Sequence, residues 1–599
     1  MYFISIFAIL IIKNFGRTIK TFRKKIKNSE SDTGGYIIMA NKIAIGIQDF
    51  EKLRESKYFY IDKTSMIQEW WESGDEVTLI TRPRRFGKTL NMSMLEKFFS
   101  LEYANRSDLF EGLSIWKEEK YQKLQGTYPV ISLSFAKVKD TNLADAKKQI
   151  RNIIKRCYKK YLFLRESDVL LEDDKIYFNH ILSDEVDDVD IAMSLHQLSD
   201  FLCRYYGKKV IILLDEYDTP MQEAFVGNYW EEIMAFTRNL FNSTFKTNPY
   251  LHRAIMTGIT RVSKESIFSD LNHLEVVTTT SDKYATSFGF TEEEVFSALE
   301  YFDMPEKKDE VKTWYDGFVF GSCKDIYNPW SILNFLDKGK LGAYWANTSS
   351  NSLVGNLIRQ GSRRLKEQFE CLLQGKTLIS EIDEQIVYNH LNGSDRAVWS
   401  LLVASGYLKV LSAEEYNEAD GWKNPNYELA LTNLEVKIMF RNIISSWFDE
   451  TEGNYNDFVT AMLIGDKKAM NVYMNRIAAS TFSYFDTGNK EPEKFYHGFV
   501  LGLIVELQRE YVITSNRESG FGRYDVMLEP RNIESRDAII LEFKVQDKED
   551  EETLKDTVNA ALAQIEKKQY ATQLEARGIP QERIRSYGVA FEGKNVLIG

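Results

Sequence analysis

Cysteine and histidine are scarce in this sequence. Four cysteines (Cys157, Cys203, Cys323 and Cys371) and six histidines serve 599 residues, and no two cysteines stand at C-x-x-C spacing. That excludes a disulfide framework, argues against a structural zinc site and fits a reducing cytoplasm. Positive charge is not in excess either. The formal net charge is −12, so nucleic acid would have to be met by a local basic surface and not by bulk attraction. No apolar run reaches the ~20 residues that span a bilayer. The run Tyr2–Ile12 is too short, and its basic residues, Arg17 to Lys27, follow it, whereas a signal peptide carries them in front. Residues 1–38 are therefore expected to lie outside the fold, with the true start at Met39; an intact mass that retains them would contradict this. A membrane tether through residues 1–27 is the alternative. No internal repeat is present.

What the sequence does contain is ordinary globular composition: 44% hydrophobic and 13% aromatic residues, which argues against long disorder. The length implies about three or four folded units. Short apolar runs read as strands at Val77–Thr81, Val130–Phe135, Val210–Leu214 and Ala254–Gly258, with Leu274–Thr278 as a fifth. Helical spacing separates them, around 61–72, 145–164 and 191–206. Strands alternating with helices predict a parallel sheet covered on both faces, over residues 44–280. A helical region (281–390), a winged-helix-like segment (391–440), a helical connector (441–489) and a terminal α/β domain (490–599) follow.

One motif sits at a strand-to-helix junction: TRPRRFGKT, residues 81–89. It ends like a phosphate-binding loop, G-x-x-x-x-G-K-S/T, but Arg82 stands where the first glycine belongs. Gly87 would admit the phosphate to the backbone, Lys88 would reach the β- and γ-phosphates, and Thr89 would hold Mg²⁺. Arg82, Arg84 and Arg85 either add charge to the phosphates or serve solvent and ion pairs. A second motif supports the first. The apolar run 210–214 ends in Asp215 and Glu216, suited respectively to holding Mg²⁺ and to polarising an attacking water. A third follows at 256–261, where Thr257 or Thr260 could sense the γ-phosphate and Arg261 could neutralise developing charge or form a structural ion pair.

In the last domain Glu542 and Lys544 share one face of a strand, because strand side chains alternate. Asp525 lies at the end of another predicted strand. Asp525 and Glu542 would hold Mg²⁺ or Mn²⁺, hard ions that suit oxygen ligands, and Lys544 would orient or activate water.

The segments GIQDFEKLRE, YIDKT, TRPRRFGKT, LLDEYDTP, GITRVSKESIFSDLN, WYDGFVFG, YNPWSIL and YWANTSSN, in that order, resemble the bacterial AAA-ATPase-like family. In that family R-P-R-R-F-G-K-S/T is the phosphate-loop form, so the resemblance implies that Arg82 belongs there. Likewise YHGFVLGLI, SNRESGFGRYDVML, IILEFKV and ALAQIEKKQY resemble the PD-(D/E)XK nuclease superfamily. That resemblance implies Asp525, Glu542 and Lys544 as core residues and Gln564 as an accessory one, with Glu506 or His497 as a further ligand. The combined fold expectation is α/β: a P-loop NTPase with a parallel sheet, a helical and winged-helix-like middle, and a C-terminal restriction-endonuclease-like domain. The function implied is ATP binding and hydrolysis coupled to a metal-dependent nuclease acting on DNA or RNA. The alternative is a nucleotide-dependent switch or scaffold with an inactive nuclease-fold binding module. GTP in place of ATP, and a homo-oligomer, are both compatible with the sequence.

Overall fold

A computed structural model describes residues 42–599 except 262–267, 269–270, 347–351, 385–390, 392–393, 415–424, 450–453, 482–499, 501–503, 505–506, 508–509, 520–521, 535 and 548–550. The side chains of 516–525 are likewise outside the description, as are the extension 1–38, His497 and Glu506. The chain divides into two compact units. One holds residues up to 341; the other holds 342–599 together with the short segments 224–228 and 260–264. Among the described residues, no helix is long and apolar enough to cross a membrane.

The first unit is built on five parallel strands, β1 (Val77–Thr81), β2 (Val130–Ser134), β3 (Val210–Asp215), β4 (Leu251–Gly258) and β5 (Leu274–Val277), in the order β2-β3-β4-β1-β5. Every residue of β1 and β3 is buried, as a parallel strand covered on both faces requires. The register aligns the carboxyl ends of the three central strands. Thr81 pairs with Gly258, Ile80 with Thr257 and Leu214 with Met256. The helix Lys88–Phe99 starts from Gly87, whose φ of 83° turns the chain from β1 into the helix.

Beyond the sheet the structure departs from the mostly helical expectation. Helices Glu292–Tyr301, Lys308–Tyr315 and Pro329–Lys338 are present. Between them lies a three-stranded antiparallel sheet of β6 (Phe290–Thr291), β7 (Phe318–Phe320) and β8 (Cys323–Tyr327), in the order β6-β8-β7. The aromatic run Phe318-Val319-Phe320 favours a strand, and Gly321 at φ 55° permits the tight return. A buried ion pair ties this region to the N-terminal segment. Lys63 Nζ donates to Glu294 Oε1 (2.8 Å) and Oε2 (2.6 Å), and to the Thr286 carbonyl (2.8 Å).

In the second unit the helix Asp395–Ala404 is capped by Ser394. It leads into the antiparallel pair β10 (Leu408–Ala413) and β11 (Asn426–Leu431). A third strand, β9 (Leu378–Glu381), which the sequence did not suggest, pairs with the other edge of β11. The terminal sheet runs β12-β13-β14-β15-β16, from Tyr511–Ser519, Gly522–Pro530, Ala538–Val545, Ile584–Glu592 and Asn595–Ile598. Only its β14–β15 pair is parallel. The helices Asn454–Ile464 and Lys467–Thr481, expected as a connector, form one of its layers. Phe458, Met462, Met470 and Met474 pack against Leu541, Phe543, Val589 and Phe591. Asn471 and Asn475 on this layer each exchange two hydrogen bonds with the β16 backbone, at Ile598 and Val596 (2.6–2.9 Å). That satisfies an edge that would otherwise be open to pairing.

Removing one partner of the Lys63–Glu294 pair strands a buried charge. Lys63→Met is expected to destabilise the first unit by about 3–5 kcal/mol in denaturant titration, whereas the double change Lys63→Met, Glu294→Leu recovers much of that loss.

Candidate functional sites

The loop from Arg82 to Gly87 contains a single glycine, so its shape comes from its surroundings. Arg82 is fully buried. Its Nη1 donates to the carbonyls of Thr81 (2.9 Å) and Thr278 (2.7 Å), and its Nη2 to those of Lys283 (3.2 Å) and Tyr284 (3.4 Å). The guanidinium lies 4.6 Å from the Phe320 ring centre and 5.7 Å from that of Phe288. Burial pushes its pKa down to about 9, with Glu69 opposing. Arg82, expected to charge the phosphates or to serve solvent and ion pairs, is instead buried on backbone carbonyls, and its hydrogen bonds bind the loop to residues 278–284. Arg84 and Arg85 are exposed. Arg84 reaches Gln222 Oε1 at 3.4 Å, and the Arg85 guanidinium lies 4.3 Å from the Trp330 ring centre.

The aromatic segment, which the sequence offered no role for, holds the loop from outside. Phe86 is buried between Phe318 and Phe320, with ring centres at 4.7 and 5.4 Å. The Gly289 N–H meets the Phe86 carbonyl at 3.4 Å, and a Cβ at Gly289 would crowd Ile326 and Phe86. Asn328 Nδ2 donates to the Arg84 carbonyl at 3.3 Å, and Asn91 Nδ2 to that of Ser287 at 2.9 Å. From the other side Lys88 Nζ donates to the carbonyls of Arg82 and Pro83, at 2.9 Å each. With these carbonyls engaged, the N–H groups opening the helix Lys88–Phe99 have no acceptor inside the helix and present an anion-binding end.

Across the sheet from Lys88, Asp215 is buried and accepts from Thr89 Oγ1 (2.8 Å) and Thr257 Oγ1 (2.6 Å). Because β4 lies between β1 and β3, Thr257 bridges the two motifs. Burial pushes the Asp215 carboxyl up and the Lys88 ammonium down, while nearby Asp215, Glu216 and Asp218 hold Lys88 toward its charged form. A carboxylate and two hydroxyls form an oxygen donor set that suits Mg²⁺. Glu216 has a φ of 51° and its Oε2 meets Thr219 Oγ1 at 3.4 Å. Asp218, which sequence reasoning passed over, accepts from Gln222 Nε2 (2.8 Å) and the Ile259 N–H (3.0 Å). A side chain at Gly258 would collide with Asp218 and Tyr217, so this glycine keeps the two strand ends close. Thr260 and Arg261 belong to the segment grouped with the second unit; Thr260 is buried and Arg261 half-exposed.

In the terminal sheet Ile539, Leu541 and Phe543 face the helical layer already described. By alternation Glu542 and Lys544 face the other side, where the helix Leu554–Lys567 packs. Glu542 is buried and accepts from Gln564 Nε2 on that helix; Lys544 is half-buried. Gly588 pairs with Glu542 across the parallel ladder, and a Cβ there would stand 2.7 Å from the Val558 carbonyl. Its missing side chain is what lets the helix bring Gln564 over Glu542. Val526 and Leu541 are paired; Asp525 directly precedes the one and Glu542 directly follows the other, so the backbone sets these two acids side by side. Oxygen donors of this kind fit Mg²⁺ or Mn²⁺. A third acidic group, Glu292, Asp316 and Asp325, lies in the first unit, where Lys312 pairs with both Glu292 and Asp325.

Replacing Arg82 by glycine would restore the usual loop pattern, yet it strips four carbonyls of this donor, three of them buried. Arg82→Gly is expected to lower stability by on the order of 3 kcal/mol, seen as a lower thermal midpoint. A variant as stable as the wild type would contradict the structural role of Arg82.

Comparison with known proteins identifies two domain families. The family model described as "Predicted AAA-ATPase" matches residues 44–268, and that of the PD-(D/E)XK nuclease superfamily matches residues 491–599. A protein from Azotobacter chroococcum mcd 1, "Uncharacterized protein in vnfD 5'region", is 26% identical over 403 residues, covering 66% of this chain and 68% of that one. The chain thus carries an AAA-ATPase-like domain over residues 44–268 and a PD-(D/E)XK nuclease superfamily domain over residues 491–599.

Proposed function

We propose that the protein binds and hydrolyses ATP in its first unit and that its terminal domain cleaves phosphodiester bonds in DNA or RNA. The observation that carries the first part is the convergence of Lys88, Thr89, Asp215 and Thr257 at the ends of β1, β3 and β4. The N–H groups at the start of the helix would cradle the phosphates, while Lys88 would leave the Arg82 and Pro83 carbonyls for the β- and γ-oxygens. Arg85 would add positive charge. Thr89 and Asp215 would hold Mg²⁺, which neutralises charge on the phosphates. Glu216 would orient the attacking water and Thr257 would sense the γ-phosphate.

In the terminal domain Asp525 and Glu542 would hold Mg²⁺ or Mn²⁺, which supplies Lewis-acid stabilisation of the phosphate. Gln564 fixes the Glu542 carboxylate, and Lys544 would orient the water that attacks phosphorus. A second reading, a nucleotide-dependent switch whose nuclease fold only binds a partner, is favoured by the net charge of −12. Cytoplasmic residence accords with both readings.

Glu216→Gln is expected to reduce ATP turnover by at least a hundredfold with little change in ATP affinity; loss of both together would remove Glu216 from the water-orienting role. Cleavage of labelled single- and double-stranded DNA and RNA with Mg²⁺ or Mn²⁺, with and without ATP, separates the two readings. Metal-dependent cleavage lost in Lys544→Ala supports the nuclease. Absence of cleavage on every substrate, from protein that still hydrolyses ATP, selects the switch.

A further inference from the structure

Trp330 stands half-exposed beside the loop that presents Lys88. Its position is fixed by Asn328, whose Oδ1 accepts from the N–H groups of Trp330 (2.9 Å) and Ser331 (3.4 Å). The same side chain donates through Nδ2 to the Arg84 carbonyl, so one buried amide ties the indole to the loop. Over the indole lies the planar guanidinium of Arg85, 4.3 Å from the ring centre. Arg85 is exposed and has a φ of 65°. A non-glycine residue held there stores backbone strain, which is found where a site needs a particular side chain at that place. Gly46, at φ 83°, lies at the rim of the ring: a Cβ on it would stand 3.9 Å from the indole. The indole is therefore flanked by a residue with no side chain and covered by one that can swing away.

An indole face that accepts a planar cation also accepts a planar base, and base–aromatic stacking tolerates any base. Phosphates seated at the start of the helix Lys88–Phe99 would attract the Arg85 guanidinium and uncover the ring. The base of the same molecule hangs on the far side of its ribose, a reach comparable to that of the arginine side chain. We propose that Trp330 is the platform on which the base of a bound nucleoside triphosphate stacks, with Arg85 moving from the ring to the phosphates as it binds. This rests on the nucleotide reading of the loop and adds where the base lies.

The test compares Mg·ATP with Mg·tripolyphosphate, which has the phosphates and no base, by calorimetric titration into the full chain. Trp330→Ala is expected to bind ATP about tenfold more weakly, the order of one base–aromatic stack, and to bind tripolyphosphate unchanged or more tightly. Trp330→Phe is expected to recover most of the ATP affinity. Equal losses for the two ligands, or no loss for ATP, would overturn the platform. Wild type that binds neither ligand would remove the nucleotide reading itself and the platform with it. If Trp330→Ala does not fold, Trp330→Leu, which keeps bulk without a π face, carries the same comparison.

Discussion

The first unit depends on one buried cation. The Arg82 guanidinium is held by four backbone carbonyls and two aromatic faces, with Glu69 near enough to oppose the cost of its burial. A glycine-rich phosphate loop takes its shape from backbone freedom. This loop has a single glycine before the lysine, and takes its shape from tertiary hydrogen bonds instead. Arg82 joins it to residues 278–284, Phe86 to the β7–β8 hairpin and Asn328 to the helix that follows. Cutting these ties would leave an exposed loop of Pro83, Arg84 and Arg85 with little reason to hold one conformation. The extra segment after the sheet is thus part of the architecture that shapes the loop before Lys88. Glu69 reinforces it by accepting from the Tyr284 N–H (2.7 Å) and Ser287 Oγ (3.2 Å).

Much of this was legible in the sequence because the signals are local. β1 and β3 are unbroken apolar runs, and such runs are buried on both faces wherever they occur in a parallel sheet. Lys88 and Thr89 open a helix after β1, and Asp215 ends β3; those facts alone put the three at one edge. The role of Arg82 was not legible. An arginine next to a phosphate motif suggests phosphate, and three of its four acceptors lie 196 to 202 positions further along. The β7–β8 hairpin was missed because its strands are too short for their alternation to stand out between helices. The layer formed by 454–464 and 467–481 was read as a connector because its partner strands come later in the chain. Asp218 was missed because its long-range partner, the Ile259 N–H, becomes visible only once β3 and β4 lie side by side.

In the terminal domain the same division holds. Alternation along β14 placed Glu542 and Lys544 on one face without any structure. What alternation could not supply is the support from above. Gly588 removes the side chain that would lift the helix Leu554–Lys567 away, and Gln564 then reaches the carboxylate. Glycine here acts through close approach and not through an unusual backbone angle. The two sites therefore share a principle: the candidate acid or base is signalled locally, while the groups that hold it arrive from distant parts of the chain.

A loop before Lys88 that works as a nucleotide site must bind ATP despite its arginines. The most direct measurement is calorimetric titration of Mg·ATP into wild type and into Lys88→Ala. Saturable, one-site binding is expected for the wild type and its loss in the variant, with both proteins equally folded by circular dichroism. Equal affinity in the two proteins would contradict that role of the loop.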